Sequence, residues 1–261
     1  MKRLFVLLIL SLLILSISCS KADLITAPNG GYNTASISDE VRGAAVTANF
    51  SPQYWSDLMI ANVSAVNNIY NNTHDSVTWS GYNGFSTYRC ETDCSGLLTC
   101  LLKQSYGYTN AYIKTWTGLS NPFASTYYNE IKAKDHFTPI PLVKDIARGD
   151  IIAIKYPAGS TNTGHIMIVA SAPTARTASS PVVSGTSQYE VTIMDASSSG
   201  HGSLDTRYIS SGNFNDGIGR GIARLYVNSK GTISGYTWST YSNSVYYSQS
   251  ERPLLVGRLI P

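Results

Sequence analysis

The stretch Thr92-Asp93-Cys94-Ser95-Gly96-Leu97 opens an apolar run that continues to Leu102. Aspartate is a favoured helix N-cap, so Asp93 marks the start of a helix and sets Cys94 in its first turn. There the unpaired backbone N–H groups and the helix dipole favour a thiolate over a thiol. A cysteine placed this way is a candidate nucleophile.

Upstream, Ser51 and Pro52 read as the cap and first residue of a helix extending to about Tyr70. Trp55, Leu58, Met59, Val63, Val66 and Tyr70 recur along it at helical spacing. Residues 71–86 read as a loop rich in glycine and aromatic side chains. Downstream, a short helix is expected over Ala124 to Lys134, then a turn marked by Pro139 and Pro141. The texture then becomes β-prone, with strands expected at Asp150–Tyr156, Ile166–Ala170, Glu190–Met194, Gly221–Val227 and Leu254–Leu259. The Ser-, Thr-, Pro- and Ala-rich segment Ala172 to Gln188 reads as a loop between two of them. Helices first and strands afterwards at hairpin-like intervals imply an α+β domain over residues 51–261, with helices packed on a mostly antiparallel sheet.

The N-terminus has a different character. Lys2 and Arg3 precede an apolar stretch from Leu4 to Ile17, too short to span a bilayer comfortably but suited to the core of a secretory signal over residues 1–18. Cys19 then stands where a lipoprotein would be acylated, and ordinary cleavage after Ser18 is the alternative. Residues 19–50 read as a lipid-anchored tether or irregular arm, broken by Pro28, Asn29, Gly30 and Gly31. The chain is therefore expected to be exported to the cell envelope, either held at a membrane through Cys19 or secreted.

Removing the leader lowers the formal charge from +3 to +1, because Lys2 and Arg3 leave with it. Nothing in that balance suits nucleic acid. The remaining cysteines, Cys90, Cys94 and Cys100, lie close together, without the second pair or the histidine that zinc-site spacing needs. No metal and no cofactor is implied. Cys90 and Cys100 could pair and leave Cys94 free, or Cys100 could serve as a buried apolar side chain on the helix.

A thiolate nucleophile needs a base, and the base needs a partner to orient it. Of the four histidines, His74, His136, His165 and His201, His165 follows Gly164 and opens the strand Ile166-Met167-Ile168-Val169, which would hold its ring rigidly. The next strand ends at Asp195, whose carboxylate could accept the second ring N–H. His201 and Asp205 lie just downstream and are alternatives for that orienting role.

Taken together, T-D-C-S-G-L, R-G-D-I-I-A-I (Arg148 to Ile154), G-H-I-M-I-V (Gly164 to Val169) and the strand end D-A-S (Asp195 to Ser197) resemble the NlpC-type papain-like cell-wall peptidases and the related CHAP amidases. The resemblance covers roughly Pro52 to Val227. It implies a papain-like fold with Cys94 as nucleophile, His165 as base and Asp195 as the third polar residue. It also implies an upstream aromatic residue lining the site, Tyr82 or Tyr88, with Ser95 near the substrate. Typical members carry a histidine close behind the base strand in the third position, where this chain has Asp195.

By that resemblance the protein is a thiol hydrolase cleaving an amide bond in the peptide stems of peptidoglycan. An amidase, deamidase or acyltransferase acting on another amide or on lipid shares the same chemistry. A catalytically idle envelope-binding lipoprotein that keeps the fold is a reading of a different class.

Overall fold

The computed structural model describes residues 51–261. The leader over residues 1–18, Cys19 with its lipidation and the tether over 19–50 lie outside the described residues. Ser51 caps helix α1 (Pro52–Asn62), its hydroxyl accepting from the Tyr54 N–H at 3.4 Å. α1 buries Trp55 and Met59 but stops well short of Tyr70. Val63 is extended, a 3-10 turn follows at Ala65–Asn67, and the chain enters strand β1 (Asn68–Tyr70). Asn62, Val63, Ser64 and Asn67 are weak helix formers, and Val66 is exposed, so the apolar spacing beyond Met59 marks no buried face.

Strands β2 (Ser76–Thr78) and β3 (Arg89–Thr92) complete a small sheet in which β3 lies parallel to β1 and antiparallel to β2. β3 runs into Asp93 and helix α2 (Cys94–Tyr106). The Asp93 carboxylate accepts from the Gly96 N–H at 2.7 Å, and Gly107, in the left-handed region at φ 66°, closes the helix. α2 is buried almost around its whole circumference, from Cys94 through Leu102. Cys100 is disulfide-bonded, whereas Cys90 and Cys94 are free thiols. The Cys90–Cys100 pairing is therefore not formed, and Cys100 is more than an apolar packing residue.

Helix α3 (Asn110–Thr117) was not expected from the sequence pattern. Thr109 caps it, and Tyr112, Ile113 and Trp116 form its short buried face. Helix α4 (Ala124–Ala133) follows, close to the span expected, and ends at Lys134 with φ 63°.

The rest of the chain is β. Strands β4 (Phe137–Pro139), β5 (Ile151–Lys155), β6 (Gly164–Arg176), β7 (Thr186–Ser197), β8 (Tyr208–Ser210), β9 (Asn213–Phe214), β10 (Gly217–Asn228), β11 (Ile233–Thr237), β12 (Tyr246–Ser248) and β13 (Leu254–Leu259) follow in order. Eight of them form one sheet in the order β12-β11-β10-β7-β6-β5-β13-β4, each neighbouring pair antiparallel. The protein is thus α+β, with helices and a large antiparallel sheet.

Alternation along these strands splits the core in two. Ile151, Ala153, Ile166, Ile168, Met194 and Ala196 pack with the helices, while Ile152, Ile154, Met167, Val169, Val191 and Ile193 form a second cluster with Leu225, Tyr236 and Val256.

The segment Ala172 to Gln188 corrects the sequence reading. Much of it is strand, because β6 runs on to Arg176 and β7 begins at Thr186, with Thr174 opposite Glu190 and Arg176 opposite Gln188. Its side chains are polar and largely exposed, so no apolar alternation announced it. The buried Arg224 guanidinium pins the tip of this hairpin, donating to the Ser179 and Ser180 carbonyls at 3.0 and 2.8 Å.

Where α4 meets the sheet, a β-carbon added at Gly257 would lie 2.7 Å from the stiff, fully buried Ile131. Gly257→Ala should therefore destabilise the fold by about 1–3 kcal/mol, read as a lower midpoint in urea unfolding, while the Cys94 site on the opposite stretch of chain keeps its thiol reactivity. An unchanged midpoint would show that α4 seats more loosely than this contact implies.

Candidate active site

Three elements bring the site together. α2 presents Cys94 at its first residue, 5% exposed. β6 carries His165, paired across the hairpin with Ile154 of β5. β7 carries Asp195, opposite Gly219 of β10. Cys94 interacts electrostatically with the His165 ring, whose Nε2 lies 2.7 Å from Asp195 Oδ2. Thus the three residues singled out in the sequence belong to one group of interacting side chains.

Burial by itself would lower the His165 pKa, but its electrostatic interaction with Cys94 and the hydrogen bond and charge of Asp195 raise it to about 9. Burial pushes the Asp195 carboxyl the other way, toward protonation. The charges of Arg207 and His201 and the hydrogen bonds from both histidines overcome that and hold it well below the ordinary carboxylate range.

Behind Asp195 lies a layer that the sequence reading located only in part. His201 does not touch His165; its Nε2 reaches the same Asp195 Oδ2 at 2.9 Å, and its Nδ1 faces the Trp238 carbonyl at 2.6 Å. Arg207, 2% exposed, donates through Nη2 to Asp195 Oδ1 at 2.8 Å and to Asp205 Oδ2 at 2.9 Å. Asp205 also accepts from the His201 backbone N–H at 2.8 Å. Trp238 stacks on His201 with ring centroids 4.2 Å apart and meets His165 edge-on at 4.7 Å. The sequence signal for this layer is the G-I-G-R-G of β10. A β-carbon at Gly219 would strike Arg207 Nε at 2.4 Å, and one at Gly221 would strike Asp205 Oδ2 at the same distance.

His165, Asp195 and His201 offer ligand-type atoms within 4.8 Å of one another. Two imidazoles and a carboxylate are a donor set that suits a transition metal. Here, however, the Arg207 guanidinium already neutralises the carboxylate, and both Nε2 atoms bond to a single oxygen. The arrangement suits proton transfer better than cation binding.

Cys94 opens onto a cleft of about 170 Å³ lined by Tyr70, Asn72, Ser95, Phe123 and Thr163 among others. Tyr70 and Phe123 are its aromatic residues, and the Tyr70 phenol is pushed up by burial and by its electrostatic interactions with Cys94 and Asp93. Tyr82 and Tyr88, the aromatic residues expected there, do not line it. Tyr82 packs edge-on against Trp55 at 4.6 Å, and Tyr88 packs against the helical core. Tyr70 was hidden because its segment reads as helix. Ser95 does border the cleft, but its hydroxyl donates to Asp93 at 2.9 Å. The other two histidines lie elsewhere: His74 pairs with Glu91 at 2.9 Å, and His136 stacks on Trp116.

Sequence comparison finds a relative that is 34% identical over 215 residues, an alignment covering 78% of this chain and 94% of the other. It is the "Uncharacterized protein R653" of Acanthamoeba polyphaga mimivirus. The chain belongs to the family of that mimivirus protein. No protein-family model matches the chain, and no solved structure matches it.

The three cysteines of the described residues differ in state and environment, which makes them distinguishable. Cys90 is fully buried, and burial pushes its thiol up to about 12; Cys100 is disulfide-bonded; Cys94 borders the cleft. Iodoacetamide at pH 7 without reductant should add one carbamidomethyl group, located at Cys94 by peptide mass mapping. Labelling shared with Cys90 in the folded protein would show that the cleft does not expose Cys94 selectively.

Proposed function

We propose that the protein is a papain-like cysteine hydrolase that cleaves an amide bond. The observation that supports this is the Cys94–His165–Asp195 grouping, with one ring nitrogen of His165 engaged by the carboxylate at 2.7 Å and Cys94 acting electrostatically on the same ring. In this reading the Cys94 sulfur attacks the amide carbonyl carbon. Protonated His165 then gives its proton to the departing amine, leaving a thioester and a neutral ring. That ring next takes a proton from water, which hydrolyses the thioester and restores Cys94. Negative charge on the carbonyl oxygen during attack is met by backbone N–H groups at the start of α2, with the Tyr70 phenol facing it across the cleft.

Asp195 orients the imidazole and stabilises its charged form, while Arg207 and His201 keep Asp195 ionised and in place. This arrangement supplies the third role with an aspartate that has a histidine behind it, where the resembling peptidases use a histidine directly. Peptidoglycan stem peptides are the substrate this reading proposes, with an exported protein at the cell envelope as its setting. The first test is digestion of purified cell wall followed by mass spectrometry of the released fragments. A single type of amide cut by the wild type and none by Cys94→Ala supports the reading. Intact wall in both, together with no cleavage of small stem peptides, would overturn it.

The charges also fix a pH profile. Partners raise the His165 pKa, so the stability they confer is fully present below its ordinary value of 6.5 and is lost as pH rises through about 9. The alkaline limb of kcat/KM should therefore fall near pH 9. Asp195→Asn removes two of the causes that raise His165, so it should move that limb to lower pH and cut turnover by roughly 10²- to 10⁴-fold. His201→Gln, one residue further from the ring, should shift the limb the same way with a smaller loss. An alkaline limb at the same pH in Asp195→Asn would remove Asp195 from the orienting role.

A further inference from the structure

The hairpin joining β5 to β6 has two sides. Thr163 and Gly164 line the cleft at Cys94. Across the hairpin the Tyr156 N–H donates to the Thr163 carbonyl at 3.0 Å, and the Tyr156 side chain forms one wall of a second, larger trough of about 680 Å³. The β5–β6 hairpin thus contributes residues to both depressions.

The trough is built for an anion. Lys132, Lys155 and Arg252 line it, and Glu251 is its one acid. Glu251 is already engaged, accepting from the Ser248 N–H at 2.9 Å and the Ser248 hydroxyl at 2.8 Å. Among the described residues no carboxylate pairs with the three cations. Lys155 donates to the Asn129 side-chain carbonyl at 3.2 Å. The Arg252 guanidinium carbon sits 3.9 Å from the Tyr247 ring centroid and 4.5 Å from that of Tyr156. A guanidinium held between two aromatic faces loses little freedom when it binds, and its fork of donors matches a carboxylate. Tyrosine walls then accommodate the apolar stem that carries such a group.

We propose that this trough is a substrate subsite for a free carboxylate on the same peptide whose scissile amide lies at Cys94, with Arg252 as the principal ligand and Lys155 in support. The proposal rests on the amide-hydrolase reading and specifies its substrate as an acidic peptide. Carboxylates of this kind recur along peptidoglycan stems, whereas a fully amidated peptide would leave the three cations uncompensated.

The test separates binding from turnover. The full-length chain carrying Cys94→Ala is titrated calorimetrically with L-alanyl-γ-D-glutamyl-L-lysine and with the same peptide amidated at its carboxyl groups. The acid should bind at least tenfold more tightly than the amide. Adding Arg252→Gln should reduce that ratio below twofold, and Arg252→Lys should restore part of it. The first comparison needs no change at Arg252, so it stands even if a variant there folds poorly. Equal binding of acid and amide, no binding of either, or a ratio unaltered by Arg252→Gln would overturn the subsite. Cleavage is scored separately with Cys94 intact. Acid-selective binding without cleavage would sink the hydrolase reading and leave the subsite standing, and cleavage indifferent to amidation would do the reverse.

Discussion

One carboxylate organises the centre of this protein. Asp195 is almost fully buried, and in that environment an isolated charge would protonate rather than remain ionised. It stays ionised because its two oxygens are divided among Arg207, His201 and His165. Those groups come from β6 and from the segment after β7, so the carboxylate is satisfied only when β6, β7 and that segment are all in place. A buried ionic cluster of this kind is weak evidence for extra stability. What it does provide is a ring of His165 held in one orientation, which is the property that nucleophilic chemistry requires.

The cysteine side is fixed by a separate set of contacts. Asp75, also buried, accepts from the Thr92 hydroxyl at 2.5 Å and from the Asn121 amide at 2.7 Å. Gly96 lies directly against this pair, where a β-carbon would come within 2.1 Å of Asp75 Oδ1. The first turn of α2 is thus seated on a polar platform, while its later turns are seated in hydrocarbon. Glycine in a helix ordinarily costs stability; at this position it is the residue that lets Cys94 sit where it does.

How much of this could be read in the chain itself differs from residue to residue. Asp93, Cys94 and the apolar run behind them encode a cap and a buried helix locally, so α2 was legible. His165 and Asp195 were legible because each adjoins a strongly apolar strand. Tyr70 was not, since its spacing from Val63 and Val66 fits a helix that ends before reaching them. Arg207 and Trp238 were not legible either. Arg207 reaches Asp195 by the turn of the chain after β7, and Trp238 is brought near by the pairing of β11 with β10; local patterns carry no signal for either. The polar arms of β6 and β7 were missed for a related reason: a strand with no apolar face is held by its backbone ladder, and side-chain periodicity does not report backbone pairing.

The Asn68 side chain bridges the small and large sheets. The Asn68 amide accepts from the Ile218 N–H at 2.7 Å and donates to the Ile218 carbonyl at 2.9 Å, so it behaves as one rung of a ladder between β1 and β10. β1 pairs with the strand that leads into Cys94, and β10 pairs with the strand that bears Asp195. Only a neutral group that both donates and accepts can hold that rung. Deamidation, the slow hydrolysis that turns asparagine into aspartate as proteins age, would present an acceptor to the Ile218 carbonyl. The chemical age of one amide would then be written into the distance between the two halves of the site.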